Sequence, residues 1–389
     1  MRILIDYRPA LRERSGVGEY AHQLVRALAT AAAGMPAGPD DAPADRLDLT
    51  IFSSSWKDRL RLADGELPGV HRIDRRIPVR LLNLAWHRVG WPCIEDLTRE
   101  RFDLVHSLHP LLLPSRSAAQ VVTIHDLYFL KHPERTSAEI RRDYPALVRA
   151  HTRRADGIVV NSTFTAREVE HRLGVPGERI TVCLPGAPDW PARTAPPPPH
   201  ERYLLFFGTL EPRKNVGMLL DAYARVLARL PDAPKLVLAG RATAEADAWL
   251  RRAAAPPLAG HVEHRGYVDP DRRRALYEGA ALLILPSFEE GFGLPALEAM
   301  TVGVPVIASN TGALPDVVGD AGPLVDPDDA DALATTIERM LTDEAYAAVC
   351  AARGVLRSRT FTWQATATAV CEAYRAALVA RRERTGRRA

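Results

Sequence analysis

Ala281-Leu282-Leu283-Ile284-Leu285-Pro286-Ser287-Phe288-Glu289-Glu290-Gly291-Phe292-Gly293-Leu294-Pro295 reads as a strand over Ala281–Leu285, a glycine-flanked turn, and a helix that opens at Leu294-Pro295. A short apolar run without alternation suits a strand covered on both faces, as in a parallel sheet. Proline just inside a helix start is the placement its missing N–H allows. The turn therefore aims the N–H groups of Phe292, Gly293 and Leu294 at an anion. Glu290 precedes that helix N-terminus and Glu298 lies about one turn inside it, so two carboxylates can accept hydroxyl hydrogen bonds on either side of a bound phosphate.

The same grammar of β-rich run, turn and helical pattern extends toward both ends of the chain, the signature of parallel α/β units. The first half offers strands at Arg2–Tyr7, Leu47–Ser53, Leu104–Ser107, Val121–His125, Gly157–Asn161 and Ile180–Cys183. The second offers Tyr203–Gly208, Lys235–Ala239, Val262–Arg265, Ala281–Leu285, Val304–Ala308 and Gly322–Val325. Between them Pro196-Pro197-Pro198-Pro199 can enter neither a helix nor a central strand. The expected organisation is an α/β domain over 1–195, a proline-rich linker over 196–201, a second α/β domain over 202–360, and a C-terminal helix with its tail over 361–389.

Composition narrows the function classes. The 389 residues are 47% apolar and 25% charged, and Gly and Pro are dispersed, which excludes collagen-like, disordered and coiled-coil chains. With 51 basic against 48 acidic residues there is no nucleic-acid footprint. Cys93, Cys183, Cys350 and Cys371 are far apart with no C-x-x-C pair, so they read as reduced packing residues. No apolar run approaches the ~18 residues of a membrane span. Met1–Asp6 reads as a strand rather than a leader, so a cytoplasmic location is expected. The cluster Arg72-Ile73-Asp74-Arg75-Arg76 could touch anionic lipid, but its plainer reading is a solvated face.

Open parallel sheets bind ligands beyond the carboxyl ends of their strands, and polar groups collect there. Gly16-Val17-Gly18 opens a helix over Glu19–Ala29, and although it matches a dinucleotide fingerprint it lies too far from the strand end at Tyr7 for that fold. The two glycines still let backbone N–H groups approach a ligand. Val121–Ile124 delivers His125 and Asp126 to a strand end. Gly208-Thr209-Leu210-Glu211-Pro212-Arg213-Lys214-Asn215 sets two cations ahead of the helix Val216–Ala228, against the macrodipole. That placement costs ~0.3–1 kcal/mol unless an anion sits beside them, and a diphosphate is the anion a planar fork and a point charge would suit. Asp269-Pro270-Asp271 and Asp326-Pro327-Asp328 could be metal-bridging pairs, but helix capping explains them without metal. Anion-binding amides at the centre and carboxylates at both ends fit a nucleotide sugar.

At these residues the chain closely resembles the retaining glycosyltransferases of family 4. The resemblance covers nearly the whole length and rests on Glu290 to Glu298, Gly208–Asn215, His125-Asp126, Gly16-Val17-Gly18, and Gly266-Tyr267-Val268 followed by an Asp-capped helix. It implies the GT-B fold, two Rossmann-like α/β domains whose parallel sheets face each other across a cleft, with the last helix, near Trp363–Ala380, crossing back to the first domain. It also implies the roles. Arg213 and Lys214 neutralise the leaving diphosphate, with Thr209 beside them and Phe292, Gly293 and Leu294 at the helix N-terminus. Glu298 holds the ribose, Tyr267 and Val268 face the base, Glu290 binds the transferred sugar, and His125, Gly16 and Gly18 reach over from the first domain.

The reaction so implied is metal-independent hexosyl transfer from a nucleoside diphosphate sugar to an acceptor hydroxyl with retention of configuration and no cofactor. The resemblance places no second carboxylate under the anomeric carbon, which implies that the leaving diphosphate itself takes the acceptor proton. Replacing Arg213 or Lys214 by Ala should then lower kcat with little change in folding. Gly16–Tyr20, His125-Asp126-Leu127 with His132-Pro133-Glu134, and Val160-Asn161-Ser162-Thr163 look most like bacterial mannosyltransferases of surface-polysaccharide assembly, which makes GDP-mannose the first donor. UDP-glucose is the alternative. The acceptor is a glycan, a lipid-linked glycan at the inner membrane face, or a small molecule, and a lipid-linked acceptor brings peripheral membrane contact. From other classes, a nucleotide-sugar epimerase or a sensor without turnover shares parts of the pattern.

Overall fold

The computed structural model describes the chain except residues 12–13, 15, 35–46, 64, 136–137 and 387–389, and describes the backbone alone at 34, 135 and 138–143. The chain forms two compact units, Met1–Gly186 with Thr362–Ala389, and Ala187–Phe361.

The first unit is built on β1 (Arg2–Asp6), β2 (Asp48–Ser54), β3 (His71–Arg75), β4 (Leu104–Ser107), β5 (Ala119–Ile124), β6 (Gly157–Val160) and β7 (Ile180–Val182). They lie in the order β3-β2-β1-β4-β5-β6-β7, all parallel. Helices α1 (Val17–Gly34), α2 (Val79–Arg88), α3 (Ile94–Thr98), α4 (Tyr128–Lys131), α5 (Ala138–Arg154) and α6 (Thr163–Leu173) connect them. In the second unit, β8 (Tyr203–Phe207), β9 (Leu236–Ala239), β10 (Val262–Gly266), β11 (Ala280–Leu285), β12 (Val306–Ser309) and β13 (Leu324–Val325) lie in the order β10-β9-β8-β11-β12-β13, again parallel. Its helices are α7 (Val216–Arg229), α8 (Ala246–Ala253), α9 (Pro270–Glu278), α10 (Leu294–Thr301), α11 (Leu314–Val318), α12 (Ala330–Thr342) and α13 (Glu344–Ser358).

Both central strands of the second sheet are covered on two sides because their apolar residues run without interruption. Leu204, Phe206, Leu282 and Ile284 pack toward α7 and α12, while Leu205, Leu283 and Leu285 pack toward α10. Strand order reverses at β1/β4 in one sheet and at β8/β11 in the other. Those are the positions where open α/β sheets leave a crevice beyond their carboxyl ends.

Three features differ from the sequence reading. The strand His71–Arg75 was not expected, because an edge strand needs no buried face and this one has Ile73 as its single apolar residue. The unit boundary falls at Gly186/Ala187 rather than at the prolines. Residues after it are strapped to the second unit: the Arg193 amide donates to Val302 O at 3.0 Å and its guanidinium donates to Glu278 O and Ala280 O. Finally, only one of the two D-P-D sites begins a helix. Asp269 precedes Pro270 at the start of α9, but Asp326 closes a turn by accepting from the Asp328 amide, and Asp329 caps α12 through Ala332. The last helix, α14 (Trp363–Gly386), packs on α1 in the first unit through Val370, Ala373 and Tyr374.

Candidate functional site

At the β8/β11 switch point, the segments that follow the two strands are stitched together. After β8 the backbone turns at Gly208 and Thr209 and makes one tight turn, Pro212–Lys214, before α7. Asn215 joins the two in the left-handed region at φ 57, and its amide nitrogen donates to Pro286 O at 3.1 Å and Pro327 O at 2.7 Å. The Phe288 amide donates to Arg213 O at 2.9 Å. This places Arg213 and Lys214 directly against the residues that follow β11.

Glu290 is the centre of the cluster. Lys214 Nζ donates to its Oε1 at 2.5 Å, Ser287 Oγ to the same oxygen at 2.7 Å, and Arg213 Nη1 to Oε2 at 3.2 Å. Arg213 also donates to Glu289 O at 3.0 Å and to Glu211 Oε1 at 2.8 Å. The anion beside the two cations is therefore Glu290 itself, which joins all three side chains in one cluster. Burial alone would raise the Glu290 carboxyl, but Lys214 and Arg213 hold it down at about 2.

That depression sets a pH dependence. Because the folded value lies below the ordinary 4.5, the stabilisation is present above pH 4.5 and is lost as pH falls toward 2. The contribution is about 3 kcal/mol. Urea midpoints across that range should fall more steeply for the wild type than for Glu290→Gln; parallel curves would refute the pairing.

Behind Glu290, the segment after β12 acts as a backstop. Ser309 Oγ donates to Ser287 O at 2.6 Å, Thr311 Oγ1 to Phe288 O at 2.9 Å, and the Ala313 amide to Glu290 O at 3.0 Å. Gly312 has φ +65, and a Cβ there would meet Glu290 N at 2.8 Å. Gly312→Ala should therefore displace Glu290 and cost about 1–3 kcal/mol. A thermal melt coincident with the wild type would show that the loop accommodates the methyl.

The turn into α10 has Gly293 at φ 109 as the residue before the helix, and a Cβ there would strike Leu314 at 2.6 Å. Phe292 turns its ring into the core, 5.9 Å from Phe361. Among the described residues, the amides of Phe292, Gly293 and Leu294 have no recorded acceptor. Inside α10, Glu298 is buried, with Arg273 Nη1 donating to Oε1 at 3.0 Å and Tyr277 Oη to Oε2 at 2.8 Å. Burial, and then the Glu298 carboxylate, push the Tyr277 hydroxyl well above its ordinary range. After β9 and β10, Gly240 abuts Gly208 so closely that a Cβ would meet Gly208 O. Tyr267 is half-buried, as is Val268, and the Arg241 guanidinium lies 5.7 Å from the Tyr267 ring centre. Thr209 is exposed.

In the first unit, His125 follows β5. Its Nε2 lies 3.1 Å from Leu108 O, which only accepts, so the proton is on Nε2 and Nδ1 is left as an acceptor. Burial holds the imidazole below 6.5. The Tyr20 ring meets it edge-on at 5.0 Å. α1 begins at Val17, so Gly18 is buried in its first turn, while Gly16 precedes it at φ +52.

Sequence reading missed a second cluster at the β1/β4 switch point. Asp6 is fully buried and accepts two bonds from the Arg8 guanidinium, at 2.8 and 2.6 Å, one from the Arg8 amide at 3.2 Å, and one from His109 Nε2 at 3.1 Å. Arg8 also donates to Asn83 Oδ1 at 2.9 Å and stacks 4.7 Å from the Trp86 ring centre. Desolvation raises the Asp6 carboxyl, yet Arg8 and His109 outweigh it and hold the group far below its usual range. The available signal was Asp6 and Arg8 around a strand end, which no spacing rule marks.

Residues 201–343 match the family described as glycosyl transferases group 1, and residues 40–189 match glycosyltransferase family 4. The O-antigen chain mannosyltransferase B of Escherichia coli is 30% identical across 96% of this chain and 100% of its own length. The chain belongs to glycosyltransferase family 4. The D-inositol 3-phosphate glycosyltransferase of Rhodococcus opacus is 30% identical to this transferase over 75% of the chain and 65% of its own length. Sucrose-phosphate synthase from Thermosynechococcus elongatus shares the fold, with TM-score 0.72 and 23% identity over 96% and 98% of the two chains. The two parallel α/β units are thus those of the GT-B glycosyltransferases. Among the described residues no group of His, Cys, Asp and Glu is arranged to hold a metal ion.

Proposed function

We propose that this transferase moves a hexosyl unit, mannose from GDP-mannose, to the hydroxyl of a glycan acceptor, with retention of configuration and without metal or cofactor. The observation that carries the reading is the convergence of Arg213 and Lys214 on Glu290 beside the open amides of α10. The match to an O-antigen mannosyltransferase along its full length favours mannose. A lipid-linked glycan acceptor suits a cytoplasmic enzyme working at the inner membrane face.

In the transfer, the bond from the anomeric carbon to the diphosphate oxygen breaks as the acceptor oxygen bonds to the same carbon on the same face. The acceptor proton passes to the departing diphosphate, which leaves with the electron pair. Arg213, Lys214 and the amides of Phe292, Gly293 and Leu294 stabilise the charge that grows there, electrostatic help of ~2.7–4 kcal/mol per donor. Arg213 and Lys214 must turn from Glu290 toward the diphosphate, which frees Glu290 oxygens for sugar hydroxyls. Glu298, clamped by Arg273 and Tyr277, offers its remaining lone pairs to the ribose. Tyr267 and Val268 face the base, with Thr209 at the phosphate turn. In the first unit, His125 Nδ1 is left to accept from a hydroxyl, and Gly16 and Gly18 give the backbone room to approach a ligand.

The test is GDP release from GDP-mannose in EDTA with a panel of alkyl mannosides, the anomeric configuration of the product read by NMR. An α-linked mannoside is the expected product. A β-linked product would refute retention, and an epimerised donor without acceptor would make the protein an epimerase.

A further inference from the structure

A cavity of about 240 Å³ in the first unit is lined by Ser115, Gln120, Arg154, Arg381, Arg384 and Thr385. It sits where β5 and β6 begin, at the amino ends of the strands, whereas the switch-point crevices open beyond the carboxyl ends. At roughly 100° per residue, Arg381, Arg384 and Thr385 share a stripe of α14 about 100° wide. Three guanidinium groups line this cavity and no carboxylate does.

Helix capping explains part of the cluster. α5 ends at Arg154, and its last carbonyls take bonds from two arginines, Arg179 Nη2 to Thr152 O at 2.9 Å and Arg384 Nη1 to Arg154 O at 3.0 Å. Cations are favoured there by the helix dipole. Arg384 Nη2 also bonds one oxygen of Asp156, whose other oxygen takes the Gln120 amide at 2.8 Å. Two cations are left over. The Arg154 guanidinium makes no hydrogen bond or ion pair with any described residue. Arg381 donates once, from Nη2 to Arg116 O at 3.3 Å, and its buried Nε has no acceptor among the described residues. Buried donors in folded proteins are almost always paired, with protein, water or ligand.

The nearby acids do not supply the missing partner. Asp96 pairs with Arg116 at 2.6 Å. Glu95 stands behind Ser115, its Oε1 accepting from Ser115 Oγ at 2.6 Å and from the Arg116 amide at 3.1 Å, and neither of its oxygens bonds an arginine side chain. Glu178 neighbours Arg179, and Glu383 lies outside the Arg381 stripe of α14.

We propose that this cavity binds a phosphate group, free or as the monoester of a small alcohol. Arg154, Arg381 and Arg384 hold its oxygens by charge-assisted hydrogen bonds. The volume is far above the ~10–15 Å³ that one water requires, so the anion enters with some of its own hydration. Because Arg154 ends α5 while Arg381 and Arg384 belong to α14, the bound phosphate ties the last turns of the terminal helix to the first unit. Neither the donor nor the transfer chemistry enters this proposal.

The experiment is calorimetric titration of the full chain with inorganic phosphate and, separately, with glycerol 3-phosphate, against chloride at matched ionic strength. Saturable binding is expected for the wild type. Arg154→Gln and Arg381→Gln should each weaken it about tenfold or more, the loss of a hydrogen bond to a charged group. Arg154 is exposed and unbonded, so without phosphate the circular dichroism and melt of Arg154→Gln should match the wild type, and its titration stands even if Arg381→Gln disturbs α14. Arg213→Ala separates this site from the Glu290 cluster and should keep the binding that Arg154→Gln loses. Tighter binding of glycerol 3-phosphate would assign the site to a carried phosphate, and tighter binding of inorganic phosphate to the free ion. The proposal is overturned by a response no greater than that to chloride, by binding unchanged in both Arg154→Gln and Arg381→Gln, or by binding that Arg213→Ala alone abolishes.

Discussion

Lys214→Ala is expected to lower kcat about 10²–10³-fold, the loss seen when one preorganised donor to a developing charge is removed. The same substitution should also lower the melting temperature, which the sequence alone did not suggest. Lys214 is buried against Glu290 at 2.5 Å, so its removal leaves a buried carboxylate with Arg213 and Ser287 as its remaining partners. Losing one partner of a buried pair costs up to about 3–5 kcal/mol, and each kcal/mol shifts the melt by about 2–4 °C in a domain of this size. Arg213, which is more exposed and also bonds Glu211, should show the kinetic loss with a smaller thermal one. Steady-state kinetics and melts on both variants check this, and an unchanged kcat in both would remove these residues from the mechanism.

Arg273→Met is expected to be the most destabilising of the single changes near the site. It strips a buried carboxylate of its charged partner, at a cost of about 3–5 kcal/mol, because Arg273 and Glu298 are both almost fully buried. Tyr277→Phe removes one hydrogen bond to the same carboxylate and should cost about 1–3 kcal/mol. If Glu298 meets the ribose, both variants raise KM for the donor more than they lower kcat, since the sugar end is untouched. A melt within a degree of wild type for Arg273→Met would mean that Glu298 finds another partner on its own.

Much of this was legible in sequence for a physical reason. Most of the twelve strands could be read because uninterrupted apolar runs between turns follow from burial on both faces, the exposed edge strand β10 being an exception. The charged edge strand β3 escaped because burial does not dictate its residues. Arg213, Lys214 and Glu290 could be named, since two cations before a helix break a local rule, but their mutual pairing could not, because they are separated by more than seventy residues. Arg273 and Tyr277 were hidden for the same reason: on α9 an arginine and a tyrosine look like surface and core until α10 brings Glu298 between them. Asp6, Arg8 and His109 come from two strand ends that become neighbours only when strand order is known.

The most direct measurement is a thermal-shift series of the wild type and Lys214→Ala with GDP, UDP, GDP-mannose, UDP-glucose and NAD, each in EDTA. A ligand at about 100 times its Kd adds ~2.7 kcal/mol. GDP and GDP-mannose should raise the wild-type melt by several degrees without metal and the variant's by much less. Stabilisation by UDP-glucose alone would replace the donor, whereas a response to NAD alone, or equal shifts in both proteins, would contradict a nucleoside diphosphate sugar bound at the Glu290 cluster.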